Sequence, residues 1–215
     1  MRALTIIALA VLLAAGNALA GATSSSTPTP VKEEENNWSF SISASTYIVP
    51  DDREYVQPTF MADRGWLHLE TRYNYESLET GSVWLGYNFS FGKKLVVEAT
   101  PMLGGVFGNT TGIAPGYRFT LTYWKLELSS ESEFVFDTGN WEGSFFYTWS
   151  ELSLSPVDWF RFGIAGQRTR AYQTDVDIQR GLFVGLTYKK IDLTTYVFNL
   201  DQSKPTWVVS VGVSF

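Results

Sequence analysis

From Trp38 to Phe215 apolar and polar residues alternate with a period of two, broken at short intervals by turn residues. That pattern restricts the fold more than any motif in the chain. Successive side chains of a strand point to opposite faces, whereas helical spacing would scatter the same residues round a cylinder. In 67–75, Leu67, Leu69, Thr71, Tyr73 and Tyr75 share one face, and His68, Glu70, Arg72 and Asn74 the other. In 126–136 one face carries Leu126, Leu128, Ser130, Ser132, Phe134 and Phe136, and the other Glu127, Ser129, Glu131 and Glu133. Composition agrees: 16% aromatic residues are too many for a disordered chain, and a mean hydropathy of −0.04 is too polar for a bundle of membrane helices.

The N-terminus has a different character. Arg2, the apolar stretch Ala3 to Ala15 and Ala18-Leu19-Ala20 read as the three parts of a secretory signal cleaved after Ala20. Its apolar part is roughly two-thirds of the length that a spanning helix needs. Removal of Arg2 takes the formal net charge of −6 to about −7. Residues 21–37 (GATSSSTPTPVKEEENN) are rich in Ser, Thr, Pro and Glu and lack aromatics, the composition of a disordered arm. The acidic balance offers no electrostatic footprint for nucleic acid. With no Cys, disulfides, thiolate metal sites, Cys nucleophiles and a lipoprotein anchor all fall away.

The last segment is the most specific. Trp207, Val209, Val211, Val213 and the terminal Phe215 alternate with Val208, Ser210, Gly212 and Ser214. It resembles the closing strand of bacterial outer-membrane β-barrels, in which a C-terminal aromatic follows apolar residues at alternate positions. The resemblance implies an all-β, up-and-down, antiparallel transmembrane barrel in a Gram-negative outer membrane. It also implies contact with outer-membrane lipids and lipopolysaccharide, and recognition of Trp207, Val209, Val211, Val213 and Phe215 by the barrel-assembly machinery. Physics leads the same way, because a bilayer satisfies no backbone polar group and a spanning sheet must close on itself. A soluble sandwich or lipocalin-like barrel would alternate equally well, with its faces reversed.

Twelve strands are predicted: 38–49, 54–62, 65–75, 82–91, 95–104, 116–124, 126–136, 144–154, 159–169, 179–188, 191–199 and 206–215. Ten is the alternative if the Pro58 segment is a loop. Connections alternate between tight turns (63–64, 92–94, 125, 155–158, 189–190) and longer ones (50–53, 76–81, the Gly-rich 105–115, 137–143, 170–178, 200–205) that, apart from 105–115, carry acids such as Asp51, Glu76 and Asp137. This is the asymmetry of short periplasmic turns and long external loops, and it puts both termini in the periplasm. Such a barrel is about 24 Å across its backbone. Trp66, Trp84, Trp124, Tyr47 and Tyr55 are expected to narrow its interior.

The inner face is expected to hold Glu70, Arg72, Glu98, Arg118, Glu127, Glu131, Glu133 and Arg161, with His68 and Glu151. Rings of carboxylates set selectivity in pores; the same groups also make ion pairs that tie strands together. The carboxylates of 127–133 repel unless Arg72, Arg118 or Arg161 faces them. A weaker set along the polar stretch 167–180, which forms an external hairpin tip with the ends of strands 159–169 and 179–188, is Arg168, Arg170, Asp175, Asp177 and Arg180; it has the chemistry to bind an anionic headgroup, a sugar or a cation. No catalytic motif accompanies the single His, and no metal or cofactor site is apparent. The expected function is a narrow porin-like channel for small polar solutes. The alternatives are a closed barrel that binds through its external loops and, third, an outer-membrane enzyme.

Overall fold

The computed structural model describes residues 37–168 and 178–215. Among these, the strands are β1 (Ser39–Ile48), β2 (Tyr55–Arg64), β3 (Leu67–Tyr73), β4 (Thr80–Tyr87), β5 (Phe89–Phe91), β6 (Leu95–Gly108) and β7 (Gly112–Tyr123). They continue as β8 (Leu126–Asp137), β9 (Phe145–Val157), β10 (Phe160–Arg168), β11 (Gln179–Tyr188), β12 (Ile191–Phe198) and β13 (Thr206–Ser214). β4 and β5 both pair with β6 and are two halves of one stave, interrupted at Asn88. Pairing of β1 with β13 joins the first stave to the last. The result is a closed, antiparallel, up-and-down barrel of twelve staves with no free edge.

The pleat sorts the two faces. Outward positions hold exposed large apolar residues such as Leu85, Leu103, Ile164, Leu182, Val184 and Val211, while the inward neighbours of Ile164 and Leu182 are Ala165 and Phe183, both buried. An apolar outer wall over a partly polar interior is the reverse of a soluble barrel and fits contact with lipid. Aromatics and cations meet at the short-turn end: Lys125 lies 5.4 Å over Trp124, Lys189 5.4 Å over Tyr188, and Arg64 5.8 Å over Trp38. Pro58 sits inside β2 without breaking it. The β2–β3 ladder ends at Thr59–Arg72, one residue before the proline, so no bond to β3 is lost.

Three expectations need correction. The Gly-rich stretch 105–115 is not a loop: β6 runs to Gly108, β7 starts at Gly112, and only 109–111 joins them. Two of its glycines lie close to neighbouring backbone, where a Cβ on Gly108 would come within 2.4 Å of Glu79 O and one on Gly112 within 1.9 Å of Phe136 O. Just outside the stretch, Trp84 packs inside the barrel against Gly104 and Gly116. A Cβ on Gly104 would come within 2.5 Å of the indole, and one on Gly116 within 3.2 Å. Trp66 and Trp124 do not line the interior; both lie in short turns, Trp124 with 78% of its surface exposed. Tyr75 leaves the outward face assigned to it. Asn74 adopts φ 57°, which ends β3 and turns Tyr75 inward. Arg168 and Arg180 lie at the ends of β10 and β11. Arg170, Asp175 and Asp177 lie outside the described residues.

The fit of Trp84 against glycine gives a direct test. Gly104→Val is expected to destabilise the barrel by about 1–3 kcal/mol through overpacking, seen as a lower midpoint of urea unfolding in micelles. Gly105→Val, whose Cβ position is open, leaves the midpoint unchanged.

Candidate functional site

The interior is built round one guanidinium. Arg72 on β3 has a fully buried side chain. Its Nε donates to Glu70 Oε1 at 2.8 Å and its Nη1 to Glu133 Oε2 at 2.8 Å, and Nη2 lies 2.7 Å from Glu131 Oε1. Its two faces are covered by rings, Tyr75 at 4.4 Å and Trp84 at 4.5 Å from the guanidinium carbon. Carboxylates at the edges and aromatic faces above and below use the planar shape of Arg in a way that Lys cannot reproduce. Because β3 and β8 are not neighbours in the sheet, the Arg72 ion pairs cross the lumen.

The network continues on both sides. Arg118 on β7 lies 3.1 Å from Glu131 and 3.6 Å from Glu70, and touches the Met61 sulfur. His68 sits between Asp63, at 2.7 Å, and Glu70, at 3.2 Å. Asp63 also accepts from Asn88, the residue that interrupts the β4–β5 stave. Thus Arg72 and Arg118 face the β8 carboxylates. Arg161 does not; it pairs with Asp192 at 2.8 Å across the barrel from them and lies against Gly185. Glu151 accepts from Trp149 Nε1 at 2.6 Å and Tyr196 OH at 2.8 Å. Glu98 and Glu127 make no ion pair with a described residue and are accessible from the short-turn end.

Three acidic participants are absent from the sequence-based set: Asp63, Asp192 and Glu76. Glu76, assigned to an acidic external connection, folds back into the barrel and has no exposed surface. Its Oε1 accepts from Ser82 Oγ at 2.5 Å and Trp84 Nε1 at 3.3 Å. The connection 74–79 is bracketed by Asn74 and Glu79, both at positive φ, and Glu79 N–H donates to Asn74 Oδ1. Alternation cannot reveal such a turn; the Asn at a strand end is the one available signal. Burial holds the Glu76 carboxyl above the usual carboxylate range, and Arg72 at 3.9 Å offsets only part of this. Its Oε2 has no hydrogen-bond partner among the described residues.

The two ends of the interior differ. Towards the long-loop end, Tyr47, Val49, Tyr55, Ala165, Phe183, Tyr196, Phe198 and Val208 form one buried apolar cluster. Trp84, Met102, Val106, Ala114 and Val135 form a second. Tyr147, 1% exposed or less, tilts against Tyr75 with ring centres 4.9 Å apart. Beside this packing lies a cavity of about 300 Å³ walled by hydroxyls (Ser43, Ser45, Thr59, Thr120, Ser129), by the rings of Tyr75, Tyr147, Trp149 and Tyr196, and by three carboxylates, Glu70, Glu131 and Glu151, with Arg118. At the short-turn end the inner face is partly open, at Thr122, Glu127, Arg161 and Asp192.

A sheet closed on itself, apolar outside and carrying a polar cavity inside, defines a porin-like outer-membrane β-barrel fold. Among solved structures a KdgM porin is similar, with a TM-score of 0.56 and 12% identity over 81% of this chain and 99% of that one. A KdgM porin in complex with disordered oligogalacturonate gives a TM-score of 0.57 and 13% identity over the same shares. No family model and no curated protein sequence matches the chain.

Two outcomes follow. Arg72→Met leaves Glu133 buried without a cation and Glu70 and Glu131 with Arg118 as the one remaining arginine, and is expected to cost about 3–5 kcal/mol, measured by urea unfolding. The folded Glu76 carboxyl keeps its proton to a higher pH than in the unfolded chain. The docked 74–79 segment is therefore most stable in acid and loses stability as pH rises through the raised value. Hydrogen-exchange protection factors of 74–79 should fall from mild acid to mild base in the wild type and stay level in Glu76→Gln.

Proposed function

We propose that the protein is a narrow outer-membrane channel of porin type, with the short turns and both termini in the periplasm and the long loops outside. The observation that carries this reading is the polar, carboxylate-walled cavity inside a wall that is apolar towards lipid. Asp63, Glu70, Glu98, Glu127, Glu131, Glu133, Glu151 and Asp192 share the inner face with Arg72, Arg118 and Arg161. Acidic walls attract cations and repel anions, more strongly where low-dielectric protein surrounds the path. The solutes are therefore small and neutral or cationic. A polyuronate such as the oligogalacturonate bound to one KdgM porin is a poor fit to such walls. The constriction is the stack of Tyr75, Arg72 and Trp84 with Glu76 behind it, and hydroxyl and aromatic groups in the cavity suit a hydrated or sugar-like solute. Among the described residues lining the cavity no serine or threonine lies beside the single histidine, which favours passage over catalysis.

A second reading, a closed barrel acting through its external loops, draws on the two apolar clusters at the long-loop end. Planar-bilayer recording separates the two. The channel reading expects small conductance steps, a reversal potential on the cation side in a salt gradient, and larger steps in Tyr75→Ala/Glu76→Ala. Replacing Glu131 and Glu151 with Gln should reduce cation preference. Correctly folded protein, wild type and double variant alike, that gives no steps overturns the channel and leaves the closed barrel.

A further inference from the structure

We propose that the outer wall over β8 to β11 carries a binding site for a phosphorylated headgroup of an outer-leaflet glycolipid, held by Arg168 and Arg180. This rests on the outer-membrane reading and on the long loops facing outward.

Both arginines lie on the outward face. Arg168 ends β10 on the same face as Ile164, and Arg180 opens β11 on the same face as Leu182 and Val184. Gly166 is directly opposite Arg180 in the ladder. Arg168, two residues on, is therefore its diagonal neighbour, about 7–8 Å away between Cα atoms. That spacing lets two guanidinium groups close on one phosphate with charge-assisted hydrogen bonds. Both side chains are exposed, and neither has an ion pair or side-chain hydrogen bond with a described residue.

Height and surroundings point to lipid rather than bulk solvent. Counting along the tilted strands puts both Cα atoms about 20 Å from the short-turn end. A long side chain there reaches the edge of an apolar band of about 25 Å. At the same end the outward residues of other strands are Ile48, Val56, Phe107, Ile113 and Trp207. Among the described residues no other strand carries a cation on its outer face at this end.

The wall beside the pair is also unusual. Thr148 is opposite Arg168, and Ser150 is opposite Gly166. These hydroxyls are paired with the next strand, Ser132 with Thr148 at 2.8 Å and Ser130 with Ser150 at 2.9 Å. A Cβ on Gly166 would meet nothing closer than 3.9 Å. Small, internally satisfied hydroxyls and a bare glycine leave this part of the wall without large apolar side chains. A phosphorylated sugar fits there: its phosphate on the arginines, its ring over the hydroxyls, and its acyl chains against Ile164 and Leu182.

Native mass spectrometry of the detergent-solubilised barrel tests the site with bis-phosphorylated lipid A, the same lipid after phosphatase treatment, and inorganic phosphate. Wild-type protein should retain phosphorylated lipid A at least about tenfold better than the dephosphorylated lipid. Arg168→Gln/Arg180→Gln should lose that difference, and Arg168→Lys/Arg180→Lys should recover part of it. Equal retention of the two lipids by the wild type overturns the proposal, and this arm needs no variant to fold. Competition by inorganic phosphate at the lipid's own concentration overturns the lipid assignment in favour of free phosphate. Heat-modifiable gel migration is read in parallel. Protein that never shows it fails as a membrane barrel, an outcome distinct from a folded barrel that ignores the phosphate.

Discussion

The Arg72 guanidinium holds the interior together. A buried cation is tolerated only when its charge and its donors are all answered, and here three carboxylates from β3 and β8 meet its edges while Tyr75 and Trp84 cover its faces. Each partner has its own requirement. Trp84 needs the bare backbone of Gly104 and Gly116, Tyr75 needs the reversal at Asn74, and Glu131 needs Arg118 as a second cation. A barrel wall is stitched by ladders between neighbouring strands; these contacts add ties across the lumen, which stiffen the tube and narrow it together.

The same arrangement explains why the two ends differ. The 74–79 connection is drawn inward by Glu76 and Tyr75, and apolar clusters fill the space around it towards the long-loop end. At the short-turn end Glu98 and Glu127 have no such partners and meet water. On the proposed channel reading, the lumen is a vestibule that leads to a constriction, one ionic and aromatic layer rather than a uniform tube.

Much of the wall was legible from alternation. The faces of β3, β8 and β13 follow from period two, and tight turns alternating with longer ones give an even number of staves with both ends of the chain on one side. The inner position of Glu70, Arg72, Glu131 and Glu133 follows from the same parity. Glycine was misleading between 105 and 115, because it signals a turn in sequence, but here Gly108 and Gly112 let β6 and β7 lie close to neighbouring backbone. Tyr75 was assigned to the wrong face because one residue at positive φ shifts the parity of everything after it. Arg161 was grouped with the β8 carboxylates, yet its partner is Asp192 on β12, a choice made by distance round the barrel.

By itself, then, the sequence determined the wall: local periodicity dictates which residue faces which way, and turn spacing dictates how many times the chain crosses. Only the tertiary structure decided what the interior is. Contacts across a lumen depend on the closure, tilt and curvature of the whole sheet, so no local pattern encodes that Arg72 meets Glu133, that Glu76 folds inside, or that one end is filled and the other open. The outer wall shows the same division. Arg168 and Arg180 are separated by a long connection in sequence, and it is the register of β10 against β11 that makes them neighbours.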